Sequence, residues 1–337
     1  MNANALIDFL MTPEAYPEKT ETVRLVQTHI SWVFIGDAFV YKVKKPVDFG
    51  FLDFTSLEKR RFYTHEELRL NKRFSPDVYL EVLPISRTWD TYLLGDDSDI
   101  VEYALKMKRI DEEKMLFNLL KQGKVTAKDM ERVGKHLAAV YSQIASDDKS
   151  RSFGTLDTVS TNVIENFDQT RKYIGGPISA GNFETIEEWS RRFMAENTAL
   201  FDKRVADGYI KDCHGDLHLQ HICLTDRGIF VFDCIEFNER FRFGDVASDV
   251  AFLSMDFDYN DQGGLGDAFV DAYIDASGDI TMRDVLLFYK VYRAYVRAKV
   301  TSFMLDDTGL DDAKRTAAFE TARKYYDLAY GYVTGED

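Results

Sequence analysis

A short stretch of the chain, KDCHGDLHLQHICL at positions 211–224, concentrates chemically reactive side chains: three of the six histidines and two of the three cysteines. A hydrophobic segment, GIFVFDCIEF, follows it. Together they predict a loop, a short strand, a turn at Asp226 to Gly228, and a second strand that ends in Asp233. Asp216 and Asp233 would then lie at neighbouring strand ends. Such a pair suits metal-assisted phosphoryl transfer, in which one carboxylate accepts the proton of an attacking hydroxyl and the other holds Mg²⁺.

The same stretch could instead be interpreted as a structural zinc site. Its candidate ligands would be Cys213, His214, His218, His221 and Cys223. Their spacing matches no two-pair zinc pattern, and alternate residues at the start of a strand point to opposite faces. We therefore predict no zinc site, and we interpret the cysteines, Cys234 included, as small apolar residues in buried strands.

The elements that must position these side chains begin with a predicted β-hairpin. The segment WVFIGDAFVYKV predicts two strands, 32–35 and 39–43, around a Gly-Asp turn. A capping box formed by Thr55 and Glu58 then predicts the start of a long helix, which Pro76 should end. A small sheet with one long helix is therefore expected near the start of the chain.

Three more strand-like runs follow that helix: VYLEVLPIS, TYLLGD and DIVEYALKMKRI. Beyond them, almost every segment except 209–240 has the periodicity of amphipathic helices. The character of the pattern changes near residue 110. We therefore predict a small sheet lobe followed by a larger helical lobe.

Ordered motifs carry a resemblance to a known family. HGDLH at 214–218, Asp233, and GDVASDVAF at 244–252 resemble the catalytic core of the aminoglycoside phosphotransferase family. The chain is most similar to uncharacterised phosphotransferase-like domains that are often fused to a P-loop ATPase domain, although no G-x-x-x-x-G-K-[ST] motif occurs here. The resemblance implies an α+β, bilobal protein-kinase-like fold. It assigns 1–108 to a nucleotide-binding antiparallel-sheet lobe with one long helix and 109–337 to a mainly helical catalytic and substrate-binding lobe.

The resemblance also implies an activity and a set of roles. It implies an ATP-dependent kinase that uses Mg²⁺, with Mn²⁺ as an alternative, and phosphorylates a hydroxyl of an aminoglycoside-like, sugar-like or amino-alcohol-like molecule. Asp216 would orient the hydroxyl, and Asp233 would hold the metal. Glu236 would add a second carboxylate, unless it is simply exposed beyond the strand. Supporting roles fall to His214, His218, Asp245 and Asp249, for which the alternatives are satisfied core histidines and ordinary acids at a helix N-terminus.

Periodicity selects the lysine and the glutamate that such a fold pairs near the nucleotide phosphates. Strand alternation puts Lys42 and Lys44 on one face. Lys42 lies mid-strand and is the first choice, whereas the alternative is that both lie on a solvated edge strand. Helical periodicity points Glu67 inward and leaves Glu66 on the surface. Met107, on the last strand of the sheet lobe, is also assigned to nucleotide binding.

One residue departs from the family pattern H-x-D-x-x-x-x-N, because His221 stands where asparagine is expected. Imidazole is a poor ligand for Mg²⁺ and a better one for Mn²⁺. Either His221 binds a softer ion, or it donates a hydrogen bond that orients Asp216 while Asp233 holds Mg²⁺; we favour the second. The departure keeps open a second function, that of a nucleotide-binding pseudokinase with a sensing or scaffolding role.

A basic stripe is expected on one long helix, where Lys290, Arg293 and Arg297 share a face. Such stripes are usually solvated. The alternative is that Arg293 and Arg297 contact an anionic group of the substrate or product.

Composition restricts the partners of the protein. Lysine and arginine number 42 and aspartate and glutamate 57, for a net charge of −15, which disfavours non-specific binding to nucleic acid or anionic membrane. Three cysteines form no disulfide framework, and the chain has neither a signal-peptide pattern nor a long apolar run. We therefore expect a cytoplasmic protein whose partner is a small hydroxylated molecule. The acceptor, the choice of ATP over GTP and the oligomeric state stay open.

Overall fold

The computed structural model describes residues 3–89 and 91–335. The chain forms two compact units, each built from two separate segments. The sheet unit comprises Met1–Gln122 and Gln220–Glu239, and the helical unit comprises Gly123–Leu219 and Arg240–Asp337.

Ten strands and thirteen α-helices form the described part of the chain. The strands are β1 (Arg24–Gln27), β2 (Ser31–Ile35), β3 (Phe39–Lys44), β4 (Tyr79–Thr88), β5 (Thr91–Leu94), β6 (Ile100–Lys108), β7 (Ile210–Asp212), β8 (Ile222–Thr225), β9 (Gly228–Val231) and β10 (Phe243–Asp245). The helices are α1 (Ala3–Leu10), α2 (Leu57–Asn71), α3 (Leu116–Lys121), α4 (Ala127–Ser142), α5 (Asp148–Ser152), α6 (Leu156–Thr170), α7 (Ala180–Glu196), α8 (Thr198–Ala206), α9 (Glu239–Arg242), α10 (Val246–Tyr259), α11 (Gly263–Ser277), α12 (Met282–Phe303) and α13 (Asp312–Thr334).

The two units divide the chain differently from the consecutive lobes 1–108 and 109–337 of the sequence-based prediction. The sheet unit includes α3 and also the distant hairpin of β8 and β9. Ser75 attaches that hairpin, because its hydroxyl donates to the carbonyl of Val231 and accepts from the Val231 N–H, each at 2.8 Å. A hairpin so far along the chain therefore completes the first compact unit.

The sheet unit is built on six antiparallel strands in the order β1-β2-β3-β6-β4-β5. β3 pairs on both sides, with Lys42 opposite Val33 on β2 and opposite Leu105 on β6. The possibility that its lysines lie on an edge strand is therefore wrong. The predicted α+β fold, an antiparallel sheet with one long helix followed by a mainly helical region, is confirmed.

The long helix α2 begins one residue later than the capping box predicted. Ser56 is the N-cap, and its side chain accepts from the Lys59 N–H, whereas Thr55 hydrogen-bonds to Asp53. The helix ends at Asn71, well before Pro76. Serine and threonine cap helices almost equally well, so neighbouring candidates cannot be separated by type alone.

The helical unit is organised around α10, which is buried over nearly its whole circumference. α12 packs against α10 and α13, and α4 packs closely against α11. A helix that is apolar on all sides belongs in the centre of a helical core. Within residues 3–89 and 91–335, none of the helices is both long and apolar enough to cross a membrane.

Candidate active site

A cluster of charged side chains lies on β3, α2 and the segment after β9, all within the sheet unit. Glu67 on α2 stands between two lysines of β3: its Oε1 lies 2.7 Å from Lys42 Nζ and its Oε2 lies 2.7 Å from Lys44 Nζ. Lys42 Nζ also lies 2.7 Å from Asp233 Oδ1, and Lys44 forms an ion pair with Glu236. The structure therefore brings five predicted site residues together.

The two lysines differ in exposure: Lys42, which was expected to be the better held, is the more accessible of the two, and its choice as the phosphate ligand stays a prediction. The Lys44 side chain is 1% exposed and the Lys42 side chain 12%, so Lys44 is the better held of the two. Burial opposes the charge of Lys42, but Asp233 and Glu67 outweigh it and raise its pKa well above the ordinary value. Glu67 points inward as predicted; burial favours its neutral form, but Lys42 and Lys44 outweigh burial and lower its pKa.

Asp233 lies two residues beyond β9, in a turn held by α2 and β4. Its φ of +64° is in the left-handed region, which is unfavourable for a residue other than glycine. Its N–H donates to the Tyr79 hydroxyl at 3.0 Å, and the next N–H, of Cys234, donates to Asn71 Oδ1 at 2.9 Å. These contacts fix the turn and leave the Asp233 side chain 47% exposed.

Glu236 is not the exposed residue that one interpretation of the sequence allowed. It is buried, and burial raises the pKa of its carboxyl although Lys44 opposes that effect. Its Oε1 contacts the Lys44 ammonium. Glu236 is therefore committed to Lys44 in this structure, and its role as a second metal ligand stays a prediction.

His221 stands beside Asp233. Its Nε2 lies 3.7 Å from Asp233 Oδ2. The proposed hydrogen bond to Asp216 joins residues of two different units and stays a prediction. A half-exposed carboxylate on a fixed turn offers the hard oxygen that Mg²⁺ prefers, and a neighbouring imidazole would suit Mn²⁺ better, so the side chains present fit a divalent cation.

Met107 is part of the sheet unit's second hydrophobic cluster. It lies on β6 opposite Val40 and Tyr79, and it packs with Val78 and Leu105. It is only partly buried. The contact between Met107 and a nucleotide stays a prediction.

In the helical unit, the loop that follows β7 is held by Asp249 on α10. Asp249 Oδ2 accepts from the His214 N–H at 2.7 Å and from the Tyr141 hydroxyl at 2.5 Å. Its Oδ1 accepts from the Gly215 N–H at 3.1 Å. The carboxylate thus fixes the two residues that precede Asp216, and its role in support of catalysis stays a prediction.

The histidines of this loop lie against Asp216. His214 is fully buried, and its Nδ1 accepts from the Asp216 N–H at 3.3 Å. His218 is also buried, with Nε2 3.5 Å from Asp216 Oδ2 and its ring 5.7 Å from that of Phe252. His214 therefore orders the backbone of the loop, and His218 lies next to the carboxylate itself.

The basic stripe of α12 is not a solvated surface. Arg293 is buried; it donates to the Gly215 carbonyl and to Ser248 Oγ, each at 2.9 Å, and lies 3.4 Å from Asp249. It therefore holds the loop, and its possible contact with an anionic group of the substrate stays a prediction. Arg297 is partly buried; burial opposes its charge, but Tyr325 and, after it, Asp216 raise the pKa of Arg297 above the ordinary value.

Asp245 lies apart from this support. It caps α10 by accepting from the Ala247 N–H at 2.9 Å, and it forms a two-point ion pair with the buried Arg204 of α8. Arg204 also pairs with Asp279. The expectation that Asp245 supports the loop is therefore wrong. Asp245 and Asp249 are four residues apart, but Asp245 is the N-cap of α10 and its side chain faces α8.

Sequence reasoning missed several residues that position the site. Asp256 Oδ2 accepts from the Leu219 N–H at 3.0 Å, and burial raises the pKa of this carboxyl while His218 opposes the rise. The sequence did offer one signal for Asp256: it is an aspartate about three turns into a helix that is otherwise mostly apolar. Asn71, Ser75 and Tyr79 gave no signal, because single polar residues in helices and strands are common. The three cysteines are buried and form no disulfide bond within the described part of the chain, but only Cys223 lies in a strand.

Each unit therefore carries one functional set. The sheet unit presents a lysine that two carboxylates hold and an accessible aspartate, which is a charge pattern for phosphate and a divalent cation. The helical unit presents Asp216, whose loop is fixed from behind by Asp249 and Arg293. A fixed carboxylate of this kind can accept a proton from a hydroxyl.

Comparison with known proteins finds a family match over part of the helical region and one stretch of the sheet unit. The phosphotransferase enzyme family matches residues 124–288, which include the loop and α10. An uncharacterised protein of Mycobacterium tuberculosis is 28% identical over 290 residues, which cover 86% of this chain. The chain spans 57% of the length of that relative.

Solved structures share the fold at low sequence identity. A choline/ethanolamine kinase family protein from Mesorhizobium loti has a TM-score of 0.58 at 13% identity, covering 98% of this chain and 99% of its own. Aminoglycoside 2'-phosphotransferase-IIIa, solved as a GDP complex, has a TM-score of 0.55 at 10% identity, covering 96% and 99% of the two chains. The resemblance predicted from the sequence is confirmed. The expected link to domains fused with a P-loop ATPase stays a prediction.

Proposed function

The chain carries the core of the phosphotransferase enzyme family over residues 124–288, and on that premise we propose that it is an ATP-dependent kinase acting on a hydroxyl of a small molecule. The observation that carries the proposal is the fixed loop of the helical unit. Asp216 is held there by contacts of Asp249 and Arg293 with the two preceding residues.

The proposed reaction uses Asp216 at the acceptor. The hydroxyl oxygen forms a bond to the γ-phosphorus, the bond from that phosphorus to the β–γ bridging oxygen breaks, and its electron pair leaves with ADP. The hydroxyl proton passes to the Asp216 carboxylate. Lys42, which Glu67 and Asp233 hold by ion pairs, would bind the phosphates of ATP.

Asp233 would hold a divalent cation, Mg²⁺ or Mn²⁺, which would neutralise charge on the phosphates when bound. His221 Nε2 lies 3.7 Å from Asp233 Oδ2. Its proposed tasks are to orient Asp216 or to bind a softer ion, and Glu236, which forms an ion pair with Lys44, is the proposed second carboxylate for the cation. That Mg²⁺ and ATP bind between the lobes stays a prediction.

For the acceptor, Arg297 is the better candidate of the two arginines, because Arg293 is occupied by the loop. Aminoglycoside-like, sugar-like and amino-alcohol-like molecules are the proposed classes, and a partner of small size in the cytoplasm is proposed with them. The net charge of −15 speaks against nucleic acid and anionic membrane as partners.

The decisive experiment is an ADP-release screen with ATP and Mg²⁺ against hydroxylated metabolites and aminoglycosides, in parallel for the wild type and Asp216→Asn. Asparagine keeps the shape of the side chain and removes the charge that accepts the proton. Turnover of an acceptor should therefore fall by about 10² or more, while the affinity for ATP changes little.

Asp226→Asn is the matched control, because it makes the same change in the turn between β8 and β9, outside both functional sets. It should turn over acceptor like the wild type. An Asp216→Asn protein with near-normal turnover would contradict the role of the carboxylate. Tight ATP binding without turnover of any acceptor would favour the sensing or scaffolding pseudokinase.

A further inference from the structure

The expected ion pair near the nucleotide phosphates needs one lysine and one glutamate, but β3 supplies two lysines. The role of the second one, Lys44, is therefore not explained by that pair. Strand alternation puts Lys42 and Lys44 on the same face, and Glu67 bridges them with one oxygen to each ammonium, both at 2.7 Å. The two lysines therefore share one carboxylate while facing different second partners.

Lys44 is enclosed on every side that its ammonium could use. Its side chain is 1% exposed, Glu67 and Glu236 contact the Nζ, and the ring of Phe54 lies 4.8 Å from it. Lys42, by contrast, is paired with the half-exposed Asp233. A phosphate could reach Lys42 by displacing an accessible partner, whereas reaching Lys44 would require opening a buried ion pair.

Glu236 links Lys44 to the turn that carries Asp233. The two acids are three residues apart, so the ion pair with Lys44 anchors the far end of a turn that Tyr79 and Asn71 anchor at its start. The turn needs anchoring because Asp233 has a φ of +64°, which costs about 1–3 kcal/mol in a residue other than glycine.

We propose that Lys44 is a positioning residue of the nucleotide site, which acts through Glu236 on the turn that carries the cation ligand Asp233. This inference rests on the proposed function. Lys44 itself contacts neither nucleotide nor cation. Its charge keeps the buried carboxylate of Glu236 in place, and that ion pair sets the geometry of the turn from which Asp233 would reach the cation.

The test is a double variant of the whole chain, Lys44→Met with Glu236→Gln. It removes one positive and one negative charge together, so no uncompensated charge stays buried, and both replacements keep the side-chain volume. Calorimetry measures ATP binding with and without Mg²⁺, and urea unfolding reports the fold. Lys42→Met serves as the comparison within the cluster.

The substitutions should affect the ATP affinity measured with Mg²⁺ and the ATP affinity measured without Mg²⁺ differently. In the double variant, the gain in ATP affinity that Mg²⁺ provides should fall at least about fivefold, with metal-free affinity within about twofold of the wild type. Lys42→Met should instead weaken ATP binding in both conditions. Lys45→Met removes a neighbouring lysine that donates to the Thr28 carbonyl outside the cluster, and it should leave both constants unchanged.

Two results would overturn the proposal. If Mg²⁺ increases the ATP affinity of the double variant as much as that of the wild type, Lys44 and Glu236 serve folding alone. If the double variant unfolds, the same measurement on the single variant Glu236→Gln decides the point. If the wild-type protein does not bind ATP, the proposed function and this inference are both contradicted. That outcome is distinguishable from failure of the inference alone, because it appears before any residue is substituted.

Discussion

In the helical unit, the side chain of Asp249 holds several parts of the candidate site at once. Its two oxygens receive the N–H groups of His214 and Gly215, the Tyr141 hydroxyl and the guanidinium of Arg293. Carboxylates that accept several hydrogen bonds at once fix a loop more firmly than any neutral side chain of the same size. The residue is therefore a structural support of the candidate site.

We predict that Asp249→Asn destabilises the protein and displaces the loop. The amide has one accepting oxygen instead of two and carries no charge, so one loop N–H loses its acceptor and the buried Arg293 loses its ion pair while it keeps its hydrogen bonds to Ser248 and Gly215. The free energy of unfolding should fall by about 2–4 kcal/mol in urea titrations. Ser248→Ala, which removes one hydrogen bond to Arg293, should cost about 1 kcal/mol. Equal effects of the two substitutions would contradict this account.

At the residue scale, periodicity predicted which side chains point inward but not what they contact. The inward position of Glu67 and the shared face of Lys42 and Lys44 follow from helix and strand geometry alone. The partner of Arg293 could not be predicted, because a basic stripe on a helix has the same sequence pattern whether water or a buried loop covers it. Long-range partners decide such cases, and one sequence does not contain them.

At the element scale, the contact between α4 and α11 depends on a glycine. A Cβ atom at Gly134 would lie 2.7 Å from the Phe269 carbonyl oxygen and 2.8 Å from the Tyr273 nitrogen. Both neighbours are backbone atoms of α11 and cannot rotate away. The two helices can therefore approach this closely only while position 134 has no side chain.

We predict that Gly134→Ala destabilises the protein by about 1–3 kcal/mol, because overpacking outweighs the roughly 1 kcal/mol that alanine gains in a helix. Gly181→Ala is the matched control. A Cβ atom there meets nothing within 4 Å, so the same substitution in α7 should stabilise by about 0.4–1 kcal/mol. Thermal unfolding of both variants measures the difference. A Gly134→Ala protein as stable as Gly181→Ala would contradict the close packing.

The elements themselves were predicted best where local rules decide. Alternating apolar residues gave β2 to β6 nearly to their ends, and the turn at Asp226 to Gly228 correctly joined β8 to β9. The cap of α2 was wrong by one residue, and Asp233 lies beyond the strand that was expected to end there. The N–H groups of Asp233 and Cys234 donate to Tyr79 and Asn71 and hold the chain in a bend at that point, and those two acceptors are distant in sequence.

At the scale of the whole molecule, the chain leaves the sheet unit after Gln122 and returns to it for residues 220–239. A change of periodicity along the chain could reveal only a boundary between consecutive segments. The return is specified by a few polar contacts, such as the two hydrogen bonds of Ser75 with Val231, and by the ion pairs of Lys42 and Lys44 with Asp233 and Glu236. None of these contacts leaves a local pattern.

We predict that residues 1–122 alone do not form a stable unit, because the buried lysines Lys42 and Lys44 would share the single carboxylate of Glu67. Leaving a buried cation short of its partner costs about 3–5 kcal/mol, which is a large part of the stability of a domain. Joining 1–122 to 220–239 through a flexible Gly/Ser linker of about 20 residues should restore cooperative unfolding in urea, followed by circular dichroism. The same joined chain with residues 220–239 in scrambled order should stay unfolded. Cooperative unfolding of 1–122 alone at the urea concentration of the joined chain would contradict the prediction, since the hairpin would then add nothing to the stability of the sheet unit.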